Sequence, residues 1–246
     1  EEIKDIVAYA EARHVTIIPE IELPGHSVAA LASYAWLGCL DKNIAVETEW
    51  GVFKDIYCAG NDNTMQFIKN VMDEVCQLFP GKYIHIGGDE APKFRWENCE
   101  KCQKRMHDHN LKSEAELQTW FIEEIAKYLY GKGKQIIGWD EILEGGLPGN
   151  AAVMSWRGML GGIEAANQKH QVVMTPNDFA YIDFYQGEVT AEGKVYKGLR
   201  MKKTYEFEPL PQGIDPKYIL GGQANLWTEQ ILSLRSAQYL TWPRSM

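Results

Sequence analysis

Short apolar runs alternate with stretches of helical periodicity along the whole chain, and nearly every apolar run ends beside a carboxylate, a histidine or a tryptophan. The runs are "VTIIPEI" (15–21), "YIHIGG" (83–88), "QIIGWD" (135–140), "AAVMSW" (151–156), "VVMTP" (172–176) and "YILGGQANLW" (218–227). Most lack polar alternation, which is the pattern of parallel strands covered on both faces. Strand, helix, strand repeats of this kind build either a doubly wound sheet or a (β/α) barrel. The polar and aromatic residues decide between them. They recur after strand upon strand, and only a barrel brings all strand C-termini to one mouth. An α/β fold of the (β/α)8 TIM-barrel type is expected, with residues 1–246 forming a partial catalytic domain of about strands 3 to 8. The first two strands would then precede Glu1.

The helices carry their own signals. Phe67, Ile68, Val71, Met72 and Val75 fall on one helical face behind Asn63 and Thr64 as caps, and Ser113 with Glu116 has capping-box spacing ahead of Leu117, Trp120 and Phe121. Ile3, Ile6, Val7 and Ala10 show the same spacing at the very start, so the chain is expected to open inside an element and to be a piece of a longer protein. The net charge of -9 is spread out, with no basic stripe interleaved with aromatics, which argues against nucleic acid as a partner. No apolar run approaches the roughly 18 residues of a membrane span. Five cysteines leave at least one thiol unpaired within the chain. Cys99 and Cys102 form a C-x-x-C without a second ligand pair at finger spacing, so a local disulfide or two packed thiols is expected there; Cys39 and Cys58 flank a loop that a disulfide could close.

"YIHIGGDEAP" (83–92) places Asp89 and Glu90 side by side between two glycines and a proline. A lone acidic pair is ordinarily a solvated turn, but a strand followed by Gly-Gly and closed by Pro marks a functional loop. Conventional retaining glycosidases use two carboxyl groups roughly 5 to 5.5 Å apart across the scissile bond, usually from different strands. Adjacent residues suit a different division of labour, in which one is the general acid and its neighbour steers a nucleophile carried by the substrate. A 2-acetamido sugar provides such a nucleophile in its carbonyl oxygen. Crowding of two carboxylates would also keep one acid protonated near neutral pH.

"IIPEIELPGHS", "HIGGDE", "GWDEIL", "VMSWRG", "YIDFYQG" and "GGQANLWTE" occur in that order, and together they resemble the catalytic domain of the β-N-acetylhexosaminidases of glycoside hydrolase family 20. The resemblance covers essentially the whole chain. It implies an exo-acting retaining glycosidase that removes terminal β-linked N-acetylglucosamine or N-acetylgalactosamine through an oxazolinium intermediate, without metal or organic cofactor. Its partners would be β-linked N-acetylhexosamine glycans or chito-oligosaccharides, and its location extracytoplasmic. Residue by residue, Glu90 matches the general acid/base and Asp89 the carboxylate that orients the acetamido group. Tyr181 matches a hydroxyl donor to the acetamido oxygen, and His26 a histidine wired to the acid. Trp139, Trp156 and Trp227 match the aromatic walls of the sugar site, while Asp183 and Glu229 match carboxylates that hold sugar hydroxyls. Glu22 stands where the family usually has Asp. The family's first two strands, which carry a substrate-binding arginine and the acids behind the histidine, have no counterpart in the chain.

Two other classes compete. A carbohydrate-binding or catalytically incompetent homologue of the same fold would bind the sugar without hydrolysing it, and a metal-dependent barrel hydrolase would need a ligand set at the strand ends that the sequence does not display. Trp36, Trp50, Trp96, Trp120 and Trp242 lie in helical or loop contexts and read as packing residues.

Overall fold

The computed structural model describes residues 1–192 and 196–246. The chain forms two compact units, Glu1–Ala152 and Val153–Met246.

In the first unit, strands β1 (Tyr83–His85) and β2 (Gln135–Trp139) pair in parallel, with Tyr83 opposite Gln135 and His85 opposite Ile137. The helices are α1 (Glu2–Glu11), α2 (Val28–Ser33), α3 (Asp62–Leu78), α4 (Phe94–Glu97), α5 (Glu100–Asp108) and α6 (Glu114–Tyr130). The apolar face expected on α3 is buried through Ile68, Met72 and Val75, and α6 buries Leu117, Phe121, Ile122, Ile125 and Leu129. Ile84, Ile136 and Ile137 are buried on the strands, and Ile86 is buried just after β1. At about 1.5 to 3 kcal/mol per large apolar side chain, this burial fixes where the strands end.

The helix starts differ in one respect from expectation. Ser113 does cap α6, accepting the Glu116 N–H, but α3 is capped by Asn61, whose side chain accepts the Asn63 N–H. Thr64 is instead buried with its hydroxyl on the Leu37 carbonyl. On α1 the periodicity is helical as expected, yet Ile3 and Ile6 are exposed and only Ala10 is buried.

Residues 15–21 do not form a strand. The segment nevertheless runs parallel to β1: His85 donates its N–H to the Pro19 carbonyl, Ile21 donates to the His85 carbonyl and Leu23 to that of Ile86, each at 2.9 Å. Pro19 and Pro24 have no N–H, which leaves too few donors for a regular ladder.

The second unit contains β3 (Ala152–Ser155), β4 (Val172–Met174) and β5 (Ile219–Gly222), parallel neighbours in that order. Between and after them lie α7 (Leu160–Asn167), α8 (Asn177–Ala180), α9 (Val189–Glu192), α10 (Met201–Tyr205) and α11 (Leu234–Thr241). β5 is shorter than expected, because the register slips between Val172 and Val173 and Gly221 adopts φ 144°. Arg244 is buried and donates to the carbonyls of Phe184, Leu199 and Leu240 at 2.9 to 3.0 Å and to that of Ile182, which fastens the 181–184 corner.

Candidate active site

In the first unit the site grows from the end of β1. Gly87 and Gly88 take φ values of 68° and 101°, a region that side chains avoid. A Cβ on Gly87 would lie 1.8 Å from the Glu22 carboxyl, and one on Gly88 would lie 2.4 Å from Ile142. The double glycine thus serves both the turn and the close packing around it. Gln118 of α6 donates to the Gly88 carbonyl at 2.7 Å, and Lys93 donates to the Ala91 carbonyl and to Gln118. These bonds clamp the loop that presents Asp89 and Glu90.

His26 joins the pair from the loop before α2. Its Nε2 lies 3.4 Å from Asp89 Oδ2 and 3.4 Å from Glu90 Oε2. Hydrogen bonding to Asp89, then to Glu90, pushes its pKa up to about 10, so it is an imidazolium at neutral pH. These three residues bring an imidazole and two carboxyl groups together, the donor types of a metal site as well as of a hydrogen-bonded cluster. Asp89 keeps its other oxygen, Oδ1, buried and reached by no N–H group, with the Glu22 carboxyl as its neighbour. That is a desolvated acceptor available to an N–H donor.

A third carboxyl, Glu22, lies against the pair. Burial, followed by the charge of Asp89, pushes its pKa up to about 11. A neutral carboxyl therefore stands beside Asp89 and Glu90.

Trp139 ends β2 with a buried indole whose N–H donates to Glu20 Oε1 at 2.9 Å, and its ring meets His85 edge-on at 4.8 Å. His85 accepts the Gly87 N–H at Nδ1, and burial lowers its pKa. It is a neutral spacer that helps orient the glycine turn. Sequence reasoning passed over Glu20, His85 and Gln118. The only signals were a histidine in an apolar strand and the i, i+2 acids of "PEIEL".

In the second unit, Tyr181 and Asn225 form a parallel bridge, with Ile182 donating to the Asn225 carbonyl and Asn225 to that of Ala180, both at 2.8 Å. The Tyr181 ring stacks on Trp156 at 6.1 Å with 27° between planes, and packs with Phe184 and Leu199. Trp227 is 36% exposed, a half-open aromatic surface. Tyr196 donates its hydroxyl to Glu229 Oε1 at 2.7 Å. Asp183 is 2% exposed, with only the backbone N–H groups of Asp183 and Trp227 near its carboxyl. Burial pushes its pKa up to about 7, and the charge of Glu229 adds to this.

The Asp183 shift has a definite sign for stability. An acid whose pKa is higher in the folded state than its ordinary 3.8 opposes folding when ionised, so the penalty grows from about pH 4 and is complete above about 7. Asp183→Asn is accordingly expected to stabilise the protein at pH 8 by about 2 to 4 kcal/mol relative to wild type, with the gain vanishing near pH 4. Urea unfolding at the two pH values checks this; an equal effect at both would show that Asp183 carries no such strain.

Carboxylates and indoles at strand ends, with a desolvated acceptor beside an acid, are the equipment of a site that handles sugars. The chain matches the sequence profile of the glycosyl hydrolase family 20 catalytic domain over residues 1–246, and it belongs to that family. It is 50% identical over 249 residues to a beta-hexosaminidase of Porphyromonas gingivalis, covering 99% of this chain and 32% of that protein. Among solved structures it resembles a beta-N-acetylhexosaminidase of Bacteroides fragilis, with a TM-score of 0.86 and 34% identity over 99% of this chain and 49% of the other. It also resembles an exo beta-N-acetylglucosaminidase of Vibrio harveyi in complex with N-acetylglucosamine, at a TM-score of 0.84 and 31% identity over 99% of this chain and 39% of the other. The chain thus spans between a third and a half of the length of these relatives. Its parallel strand and helix units are those of the family's barrel domain.

Proposed function

We propose that the chain carries catalytic residues of an exo-acting, retaining β-N-acetylhexosaminidase that works by substrate-assisted catalysis. One observation carries the reading: two adjacent carboxyl groups share a single imidazolium, and the first keeps a buried oxygen that no N–H group reaches. In this reading Asp89 Oδ1 accepts the N–H of the substrate's 2-acetamido group and turns its carbonyl oxygen toward the anomeric carbon. Glu90 gives its proton to the glycosidic oxygen as the bond to the leaving group breaks and the carbonyl oxygen bonds to the anomeric carbon. The resulting oxazolinium cation is balanced by the Asp89 carboxylate. Glu90, now a base, takes a proton from the water that opens the ring, and two inversions give net retention.

His26 is a positioning residue that neutralises part of the charge on the pair. The Tyr181 hydroxyl donates to the acetamido oxygen, Trp139, Trp156 and Trp227 offer apolar faces to the sugar, and Asp183 and Glu229 accept from its hydroxyls. The naming of the relatives as beta-hexosaminidases, and the N-acetylglucosamine held by the Vibrio harveyi enzyme, support the substrate class. An extracytoplasmic location is part of the same proposal.

A chromogenic β-N-acetylglucosaminide compared with the matching β-glucoside tests the reading in the full-length protein. The glucoside lacks the nucleophile, and its kcat/KM is expected to be lower by at least about 10³-fold, given the effective molarity of a well-oriented neighbouring group. Comparable turnover of both sugars would overturn substrate assistance, and binding without turnover of either would favour a carbohydrate-binding homologue.

A further inference from the structure

Four of the five cysteines converge in the first unit and are unused by the proposed chemistry. Cys39 Sγ lies 3.8 Å from Cys102 Sγ, and Cys58 Sγ lies 3.8 Å from Cys99 Sγ and 3.7 Å from Cys102 Sγ. All four sulfurs fall within 4.8 Å of one another. None is disulfide-bonded, so neither the Cys39–Cys58 bridge nor the local Cys99–Cys102 bridge considered from the sequence is formed.

The spacing is informative. In a tetrahedral centre with zinc–sulfur bonds of about 2.3 Å, the sulfur–sulfur edges are about 3.8 Å. A pair of disulfides would instead give two short separations of about 2.05 Å, each demanding its own Cβ geometry. Here Cys58 and Cys102 each stand at near-equal distance from two others, which is how the corners of a tetrahedron are arranged and not how two separate pairs are.

The surroundings are those of a closed site. Cys58, Cys99 and Cys102 are buried, and Cys39 is half-buried. Cys99 is the N-cap of α5 and Cys102 lies in its first turn, where the helix dipole favours thiolates. Gly60 passes so close to Lys101 that a Cβ there would lie 2.1 Å from its carbonyl carbon, which lets the Cys58 segment reach the C-x-x-C turn.

The geometry points to a structural zinc site formed by Cys39, Cys58, Cys99 and Cys102. This departs from the expectation of a chain without metal, and it concerns folding rather than the reaction. The segment from Cys39 to Cys58 contains neither helix nor strand, and exposes Val46, Trp50 and Val52. Its ends are joined by the Gly38–Tyr57 bridge and by the Cys58 N–H on the Leu37 carbonyl. Tyr57 also donates to the Pro24 carbonyl two residues before His26, and accepts at its own carbonyl from Trp96. A metal at this point would fix both the long loop and the segment that follows Glu90.

Elemental analysis of the full-length protein, purified without a metal-affinity tag or chelator, is expected to find about one zinc per chain. Thiol labelling in denaturant with chelator, read peptide by peptide, is expected to find Cys39, Cys58, Cys99 and Cys102 reduced. Cobalt substitution should give the intense d–d and charge-transfer bands of a tetrahedral thiolate centre. Cys99→Ser/Cys102→Ser should lose the metal and Cys76→Ser should keep it. Removing zinc with a chelator should lower the unfolding temperature by at least about 5 °C. Because metal content and thiol labelling are read on the wild-type protein, a failure of the double variant to fold leaves the answer intact. Oxidation of all four with no metal would replace the site by two disulfides, four reduced thiols with no metal would leave only a packed cluster, and iron in place of zinc would overturn the metal assignment.

Discussion

Glu90→Gln is expected to lower kcat/KM on a β-N-acetylglucosaminide with a poor leaving group by about 10³-fold, the range in which a positioned proton donor contributes. The side chain keeps its shape, and it can still hydrogen-bond, so the melting temperature should change little. The leaving group supplies an internal control. A dinitrophenolate departs without protonation, so the loss on that substrate should be far smaller for glycosidic cleavage, and the deficit should reappear in the later step where a base is needed. An equal loss on both substrates would take the acid role from Glu90.

Asp89→Asn gives the second large effect. Its carboxylate is proposed to hold the acetamide and balance the oxazolinium charge, and removing that charge is expected to cost about 10² to 10³-fold in kcat on acetamido sugars. Added azide should not restore the rate, because the nucleophile belongs to the substrate. Formation of a glycosyl azide by the variant would mean that Asp89 is itself the nucleophile. The change carries a second readout in His26. Hydrogen bonding to Asp89 is the largest contribution to its raised pKa, so the imidazolium observed by NMR should titrate well below about 10 in the variant.

How much of this was readable beforehand depended on the distance over which each feature is determined. The run from His85 to Glu90 was legible because its glycines, acids and strand are contiguous, and the capping of α6 by Ser113 because a cap is a local device. The segment 15–21 misled: its apolar content is that of a strand, but Pro19 and Pro24 interrupt the donors. Glu22 was read as a longer stand-in for aspartate, and its neutral state follows from burial, which has no signature in sequence. The cysteine cluster was hidden for a similar reason. Cys39 and Cys102 are 63 residues apart, and spacing rules written for short zinc motifs do not reach that far.

Glu90 and His26 have φ values of 43° and 45°, in the left-handed region. There a glycine would relieve about 1 kcal/mol or more of steric cost. A chain selected for thermal persistence alone would therefore drift toward glycine or asparagine at both positions. Stability screens of this domain should enrich for such replacements at 26 and 90, and the winners would be sturdier proteins that had given up the two side chains meeting at Asp89.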